Sequence, residues 1–188
     1  NNVLTDIIAN YVVFKSGDKY NELMRSIFQD KIKIKYRISY QKHRRTPAIL
    51  KFSKYWGKPE TQASYSYHMT RTDFLRVAVA MMKDYQNQTC VGKYLKQAQA
   101  LALKWPKYRS WGKQKTNLHS YAKKYGAQFY FDFYGMDDRN IIATIGNNNQ
   151  NMLIDMDNSR IIVTNSAASG WDQTVFMTNP IRDGVLPK

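Results

Sequence analysis

The sequence contains one cysteine, few acidic residues and no long apolar run. With Cys90 as the only cysteine among 188 residues, an intrachain disulfide and a cysteine-based metal cluster are both excluded. A catalytic thiol would need a histidine partner, and no sequence pattern assigns one. We therefore expect Cys90 to pack as a small apolar side chain.

No segment is long enough to cross a membrane as a helix. The longest apolar candidate, residues 74–82, is interrupted by Arg76 and falls short of the roughly 18 to 20 residues that a span requires. The chain begins with Asn1 and shows neither a charged n-region nor an apolar h-region. We expect a processed chain, a trimmed chain or an internal fragment, so the compartment stays open.

The shortage of acidic residues leaves a formal net charge of +15, from 29 Lys and Arg against 14 Asp and Glu. Such a charge is typical of proteins that bind nucleic acids or anionic surfaces. Here the basic residues are spread along the chain, and residues 42–45 form the only tight cluster. The sequence has no zinc-finger spacing, phosphate-binding glycine loop or aromatic RNA-binding signature, so we expect no nucleic-acid partner.

The residues that are present predict a folded protein whose first part is largely helical. A hydrophobic content of 43% and an aromatic content of 14% are typical of globular chains. Apolar residues recur with helical spacing over residues 1–30 and 70–104, with an irregular, proline-containing stretch over 31–69. Thr70 and Asp73 have the spacing of a capping box at the start of the strongest helix.

From residue 127 the apolar period changes to two, which predicts strands. Over residues 127–166, the runs AQFYFDF, RNIIATIG, QNMLIDMD and RIIVTNS predict an antiparallel meander, with a tight turn over 155–160. A Ser-x-x-Asp cap predicts a C-terminal helix over 169–178. Helices followed by antiparallel strands indicate an α+β fold, an antiparallel sheet flanked by helices.

The chain contains no self-sufficient catalytic motif. We find no Gly-x-Ser-x-Gly elbow, His-Glu-x-x-His helix or Ser-x-x-Lys pair. Asp132, Asp137 and Asp138 lie near predicted strand ends, where carboxylates commonly serve turns. The unusual feature is GNNNQN, residues 146–151, because Asn is a poor strand former. On spacing alone this segment is a β-bulge, an exposed hairpin end or a rim of amide donors and acceptors.

The order of several motifs resembles the later half of the β-lactamase-related serine hydrolases, which include class C β-lactamases, penicillin-binding esterases and 6-aminohexanoate-dimer hydrolases. Asn2 stands at the position of the Asn in the family's Tyr-x-Asn motif. In the family, this motif precedes a helix that ends in Thr-Gly or Ser-Gly, and Ser16-Gly17 occupies the corresponding position here. TRTDFLRVAVAMM, residues 70–82, is similar to the family's Thr-x-x-Asp-Leu helix. YGAQFYFDF and residues 141–167 resemble a Tyr-Gly strand, a Gly-(His/Tyr)-Gly-Gly-Gln motif and a strand ending in Asp.

The resemblance implies acyl transfer and a set of substrate-binding residues. In the family, a Ser assisted by Lys and Tyr attacks an ester or amide carbonyl. The third motif lies on an edge strand beside this nucleophile, where it binds substrate and supplies an oxyanion N–H. Asn2 matches the Asn of the first of these motifs. Asn147, Asn148 and Asn149 match the third motif, and Gln150 follows them.

Departures from the family pattern shape this expectation. The Tyr and the Ser-x-x-Lys segment would both precede Asn1, so no catalytic residue is expected in this chain and no turnover from it alone. Asn147 replaces a Lys, His, Tyr or Trp, which argues against carboxylate-bearing β-lactam substrates. We therefore expect residues 1–188 to form a single incomplete domain of a β-lactamase/transpeptidase-like fold. The alternatives are a non-catalytic binding module that kept the fold and a basic nucleic-acid-binding domain.

The expected partner is a small-molecule ester or amide, without a metal or organic cofactor. The sequence leaves the oligomeric state open. The family analogy suggests a periplasmic or cell-envelope location.

Overall fold

The structure is a computed structural model, and it describes residues 11, 15, 20–36, 39–40, 42–43, 60–61, 67–105, 117–146, 149–166 and 171–185. The chain divides into two compact units, Asn1–Asp73 and Phe74–Lys188. The prediction of one incomplete domain stays a prediction. Among the described residues, no helix combines the length and the apolar character that a membrane crossing needs.

The first unit combines a helix with two short antiparallel ladders. Helix α1 spans Tyr20–Arg25 and continues as a wider π-helical turn over Ser26–Lys31. Strand β1 (Ser39–Tyr40) pairs with β4 (Tyr67–His68), and β2 (Lys42–His43) pairs with β3 (Glu60–Thr61). The region predicted to be irregular thus contains strand pairs. The predicted helix before Ser16 lies outside the described residues except at positions 11 and 15.

The N-cap contact of the predicted capping box is confirmed, whereas the Asp73 side chain accepts from other donors than the Thr70 N–H. Helix α2 spans Arg71–Gln86, and the N–H of Asp73 donates to Thr70 Oγ1 over 3.1 Å. The Asp73 carboxylate is fully buried and accepts the N–H groups of Lys35 and Tyr36 at 3.0 and 3.2 Å. One side chain therefore begins the helix and holds the chain that follows Ile34.

Helix α3 spans Cys90–Leu101 and is capped by Thr89, whose hydroxyl accepts the N–H of Gly92. The expectation that Cys90 packs in the interior is wrong, because this cysteine is exposed in the first turn. Its position on the outer side of the helix explains this, since the inward positions are held by Gly92 and Leu95.

The second unit contains a six-stranded antiparallel meander, which confirms the α+β class. The strands lie in the order β10-β9-β8-β7-β6-β5 without a crossover. Their bounds are β5 Leu103–Lys104, β6 Ala122–Gly126, β7 Phe129–Phe133, β8 Ile141–Ile145, β9 Asn151–Asp155 and β10 Arg160–Thr164. The four predicted strands correspond to β7 to β10. The expectation that the helical part extends to residue 104 is wrong at its end, because α3 stops at Leu101 and Leu103–Lys104 form β5. Strand β6 was not predicted, because Lys123 and Lys124 give it no apolar alternation.

Helical elements cover both faces of this sheet. Successive residues of β8 and β9 alternate between two buried clusters, as strand geometry requires. The first cluster contains Leu118, Ala122, Phe133, Met136, Ile141, Ala143, Leu153, Met177 and Ile181. The second contains Ala78, Tyr85, Leu95, Phe131, Ile142, Met152, Ile154 and Met156, so α2 and α3 pack on that face.

Strand β7 changes face at Asp132. Phe131 and Phe133 would share a face in a regular strand, yet they belong to opposite clusters. Asp132 has φ of 50°, which inserts a left-handed residue between them. The pair Lys123–Asp132 is correspondingly missing from the ladder of β6 and β7. Asp132 is therefore a strand-distorting residue and not the turn residue that we expected.

The C-terminal helical segment starts and ends later than the predicted 169–178. It runs as a π-helix over Thr174–Thr178 and as α4 over Asn179–Asp183, with Asp172 Oδ1 accepting the N–H groups of Thr174 and Val175. Ser169 lies outside the described residues. Gly184 ends α4 with φ of 78°, and a side chain there would meet the Arg160 guanidinium at 2.8 Å.

The predicted turn after β9 is confirmed. Asp155, which is fully buried, accepts the N–H groups of Asp157 and Asn158 at 3.1 and 3.0 Å. The left-handed residue of the turn is Ser159, at φ of 55°. Arg139 lies 3.4 Å from the same carboxylate and also donates to the Arg182 carbonyl at 2.9 Å, which ties the turn to the end of α4.

Candidate functional site

The candidate site is the segment Gly146–Gln150. We call it the amide connection because it joins β8 to β9 and consists, after the glycine, of residues with amide side chains. The N–H of Gly146 donates to the Gln150 carbonyl over 3.0 Å. A Cβ at Gly146 would stand 2.8 Å from that carbonyl oxygen, so only glycine allows this closure. Asn147 and Asn148 lie outside the described residues, as does Asn2.

Asn149 is held in a left-handed conformation. Its φ is 60°, a region in which Asn is tolerated better than most residues with a Cβ. Its carbonyl accepts the Thr164 hydroxyl at 2.8 Å, and its Oδ1 accepts Gln173 Nε2 at 2.6 Å. Strand β10 thus holds the backbone of Asn149, and the residue that precedes the C-terminal helical segment holds its side chain.

Gln150 is oriented toward a different neighbour. Its Nε2 donates to the Ser166 carbonyl, beyond the end of β10, over 2.8 Å. The described side chains of the predicted substrate-binding set, Asn149 and Gln150, therefore both make internal hydrogen bonds. Their assignment to substrate binding stays a prediction.

Gln173 is the centre of a buried network that the sequence did not reveal. Only 2% of its surface is exposed. Besides Asn149, its Nε2 donates to Asn117 Oδ1 at 3.4 Å, and its Oε1 accepts the N–H of Leu118 at 2.9 Å and Asn151 Nδ2 at 3.3 Å. No sequence signal marks this residue, because glutamine usually lies on the surface.

Further polar groups are buried beside this network. Asn151, the first residue of β9, is fully buried, and its Oδ1 has no hydrogen-bond partner among the residues that the structure describes. The same holds for Trp171 Nε1 and for the hydroxyls of Thr174 and Thr178. A buried polar atom without a partner costs about 1 to 3 kcal/mol. In native proteins such exceptions are rare and call for an explanation, of which a functional role is one.

The network can orient a hydrogen-bonding ligand but cannot by itself break a bond. Its side chains are neutral amides and the Thr164 hydroxyl, which donate and accept hydrogen bonds without a pKa near neutrality. A nucleophile and a base would have to come from residues outside it. Within the described ranges, no group of three His, Cys, Asp or Glu side chains is arranged to hold a metal ion.

A second polar feature lies on the α3 side of the sheet. A cleft of about 650 Å³ is lined by basic, acidic and neutral residues: Tyr85, Lys96, Gln99, Ala100, Lys124, Asp132, Asp137, Asp138, Arg139 and Asn140. Gln99 Nε2 donates to Asp132 at 2.6 Å, and Lys124 lies 2.8 Å from the same carboxylate. Burial, followed by the negative charges of Asp157 and Asp132, raises the pKa of Tyr85. None of the described residues of the amide connection lines this cleft.

No protein-family model, curated protein or solved structure matches the chain. The resemblance to β-lactamase-related serine hydrolases therefore rests on the order of motifs in the sequence and stays a prediction.

Proposed function

We propose that this chain is the C-terminal part of a β-lactamase-related serine hydrolase that cleaves an ester, an amide or a small peptide by acyl transfer. In this proposal the nucleophilic Ser, its Lys and the Tyr lie upstream of Asn1. The amide connection, with Asn147, Asn148, Asn149 and Gln150, together with Asn2, contributes to substrate binding.

The observation that carries the proposal is that hydrogen bonds hold both the backbone and the side chain of Asn149. A left-handed residue with a Cβ is unfavourable and persists only where its surroundings stabilise it. Here Thr164 and Gln173 both do so, by hydrogen bonds of 2.8 and 2.6 Å. Acyl transfer depends on donors that are positioned before the substrate arrives, since moving them during the reaction would cost free energy.

The amide connection departs from the expected placement in one respect, because strands β8 and β9 are interior strands of the sheet, whereas the family's third motif lies on an edge strand. The order of the elements around the connection supports the proposal. The neighbours of the connection along the chain, a strand ending in Asp155 and a β-branched strand, have the order that the resemblance implies. The β-lactamase/transpeptidase-like fold is part of the proposal.

The test is to sequence the gene upstream of the codon for Asn1 and to express the longer protein. The proposal predicts a Tyr immediately before Asn1 and a Ser-x-x-Lys further upstream. The longer protein should hydrolyse p-nitrophenyl butyrate and react with a fluorophosphonate at that Ser. Its Ser→Ala variant is the matched control. An unrelated upstream sequence, or an unreactive longer protein, would refute the proposal.

A non-catalytic binding module is the second candidate, because Asn149 and Gln150 are both engaged in internal hydrogen bonds. This alternative predicts an upstream segment that completes the fold but lacks Ser-x-x-Lys. The longer protein would then bind an ester or amide without labelling or turnover. The same sequence determination and the same fluorophosphonate reaction distinguish the two candidates.

A further inference from the structure

The Gln173 side chain uses its whole hydrogen-bonding capacity. A primary amide has two N–H donors and an oxygen with two lone pairs. Nε2 donates to Asn149 and Asn117, while Oε1 accepts from the N–H of Leu118 and from Asn151 Nδ2. Rotating the amide by half a turn would place its NH₂ group against the Leu118 donor. Its orientation is therefore unique.

The orientation of the Gln173 amide determines the side-chain orientations of Asn149 and Asn151. Because Gln173 presents a donor to Asn149, the acceptor Oδ1 of Asn149 must face it, over 2.6 Å. Because Gln173 presents an acceptor to Asn151, the donor Nδ2 of Asn151 faces it in turn. One buried side chain thus sets the side-chain orientation at the end of the connection and at the start of β9.

A different residue, Thr164, holds the backbone of Asn149 and Asn151. The Thr164 hydroxyl donates to the Asn149 carbonyl at 2.8 Å and accepts the N–H of Asn151 at 3.3 Å. Asn149 and Asn151 are therefore each fixed twice, through the backbone by Thr164 and through the side chain by Gln173. Without Gln173, the side-chain half of this support is lost.

We infer that Gln173 is a positioning residue, which holds Asn149 and Asn151 in the geometry that the proposed acyl-transfer site requires. The inference rests on the proposed function for its effect on turnover. Its effect on the conformation of Asn149 and Asn151 can be measured in the 188-residue chain, independently of any activity.

The test compares Gln173→Met with the matched variant Gln99→Met. Methionine has nearly the same length and forms none of the amide hydrogen bonds. Gln99 is also an amide that joins three elements, through Tyr85, Asp132 and Asn140, but it lies in the other network. Both variants lose a comparable set of hydrogen bonds, so a general loss of stability affects both.

The first measurement is hydrogen exchange of the backbone amides of residues 149–151, by NMR on the 188-residue chain. We expect exchange at least about tenfold faster in Gln173→Met, because the local opening becomes easier, and unchanged exchange there in Gln99→Met. Equal protection of residues 149–151 in both variants would overturn the inference. If Gln173→Met does not fold, Asn149→Gly serves instead, since glycine accepts the left-handed conformation and removes only the side-chain contact.

The second measurement is steady-state hydrolysis of p-nitrophenyl butyrate by the longer protein. We expect Gln173→Met to lower kcat about 10- to 100-fold with little change in KM, as small displacements of positioned groups do. Gln99→Met should retain kcat per folded molecule. An unchanged kcat in Gln173→Met would refute the positioning role. A wild-type longer protein without activity would refute the proposed function alone, and hydrogen exchange would still decide the role of Gln173.

Discussion

The substitution Gly92→Ala should destabilise the second unit, because α3 meets the end of α2 at this glycine. A Cβ at Gly92 would stand 1.9 Å from the Asp84 carbonyl oxygen, 2.5 Å from its carbon and 2.9 Å from Tyr85 Cα. All three atoms belong to the backbone, so rotation of a side chain cannot relieve the overlap. The two helices would have to separate by more than about 1 Å to reach even the closest contact that real Cβ atoms show.

Two opposing effects determine the magnitude of this change. Alanine in place of glycine within a helix stabilises by about 1 kcal/mol. Overpacking a closely packed contact costs about 1 to 3 kcal/mol, occasionally more, and the upper end applies where backbone must move. The shift would also disturb the packing of Leu95 and Tyr85 in the second cluster. We expect a net loss of about 2 kcal/mol, which corresponds to roughly 4 to 8 °C in Tm for a chain of this length.

Urea unfolding and thermal melting followed by circular dichroism would measure this loss. Lys93→Ala, at the exposed neighbouring position, is the control and should stay within about 0.5 kcal/mol of the parent. If Gly92→Ala is as stable as the parent chain, or gains the 1 kcal/mol that helix propensity alone predicts, the close approach of the two helices is refuted.

Two further predictions concern pH and a buried charge. Burial against Tyr130 lowers the pKa of His119, so the unfolded chain binds more protons just below the ordinary value of about 6.5. The free energy of unfolding should therefore fall as the pH drops through about 6.5. Urea titrations at several pH values should show a weaker dependence of this free energy on pH in His119→Gln. An unchanged pH dependence in the variant would contradict this reasoning. Asp155→Ala should cost about 3 kcal/mol in unfolding free energy, because Arg139 and two turn N–H groups lose their buried acceptor. The exposed Asp138→Ala, which removes only a 3.7 Å contact with Arg139, should cost less than about 0.5 kcal/mol, and equal losses in the two variants would refute the argument.

Features that depend on residues close together in the chain were predictable. Helix α2 begins at the predicted cap because Thr70 and Asp73 are three residues apart and satisfy the first N–H groups locally. Strands β7 to β10 follow from an apolar period of two, and the turn after β9 follows from the ability of Asp155 to accept nearby backbone N–H groups.

Features that depend on distant neighbours were missed or stay open. Strand β6 forms although its two lysines break the apolar pattern, because β5 and β7 lie on either side of it and Asp132 and Asp137 supply charge partners. The face change in β7 could not be predicted either, since FYFDF reads as regular alternation until the positive φ of Asp132 is seen.

The candidate site shows the same division between sequence and tertiary structure. The sequence by itself determined that an amide-rich segment with a glycine at its start joins two strands of an antiparallel α+β sheet, because composition and period are local properties. Only the tertiary structure decided what the side chains of Asn149 and Gln150 contact. Gln173 lies 24 positions after Asn149 along the chain and Asn117 lies 56 positions before Gln173, and burial brings their complementary donors and acceptors together.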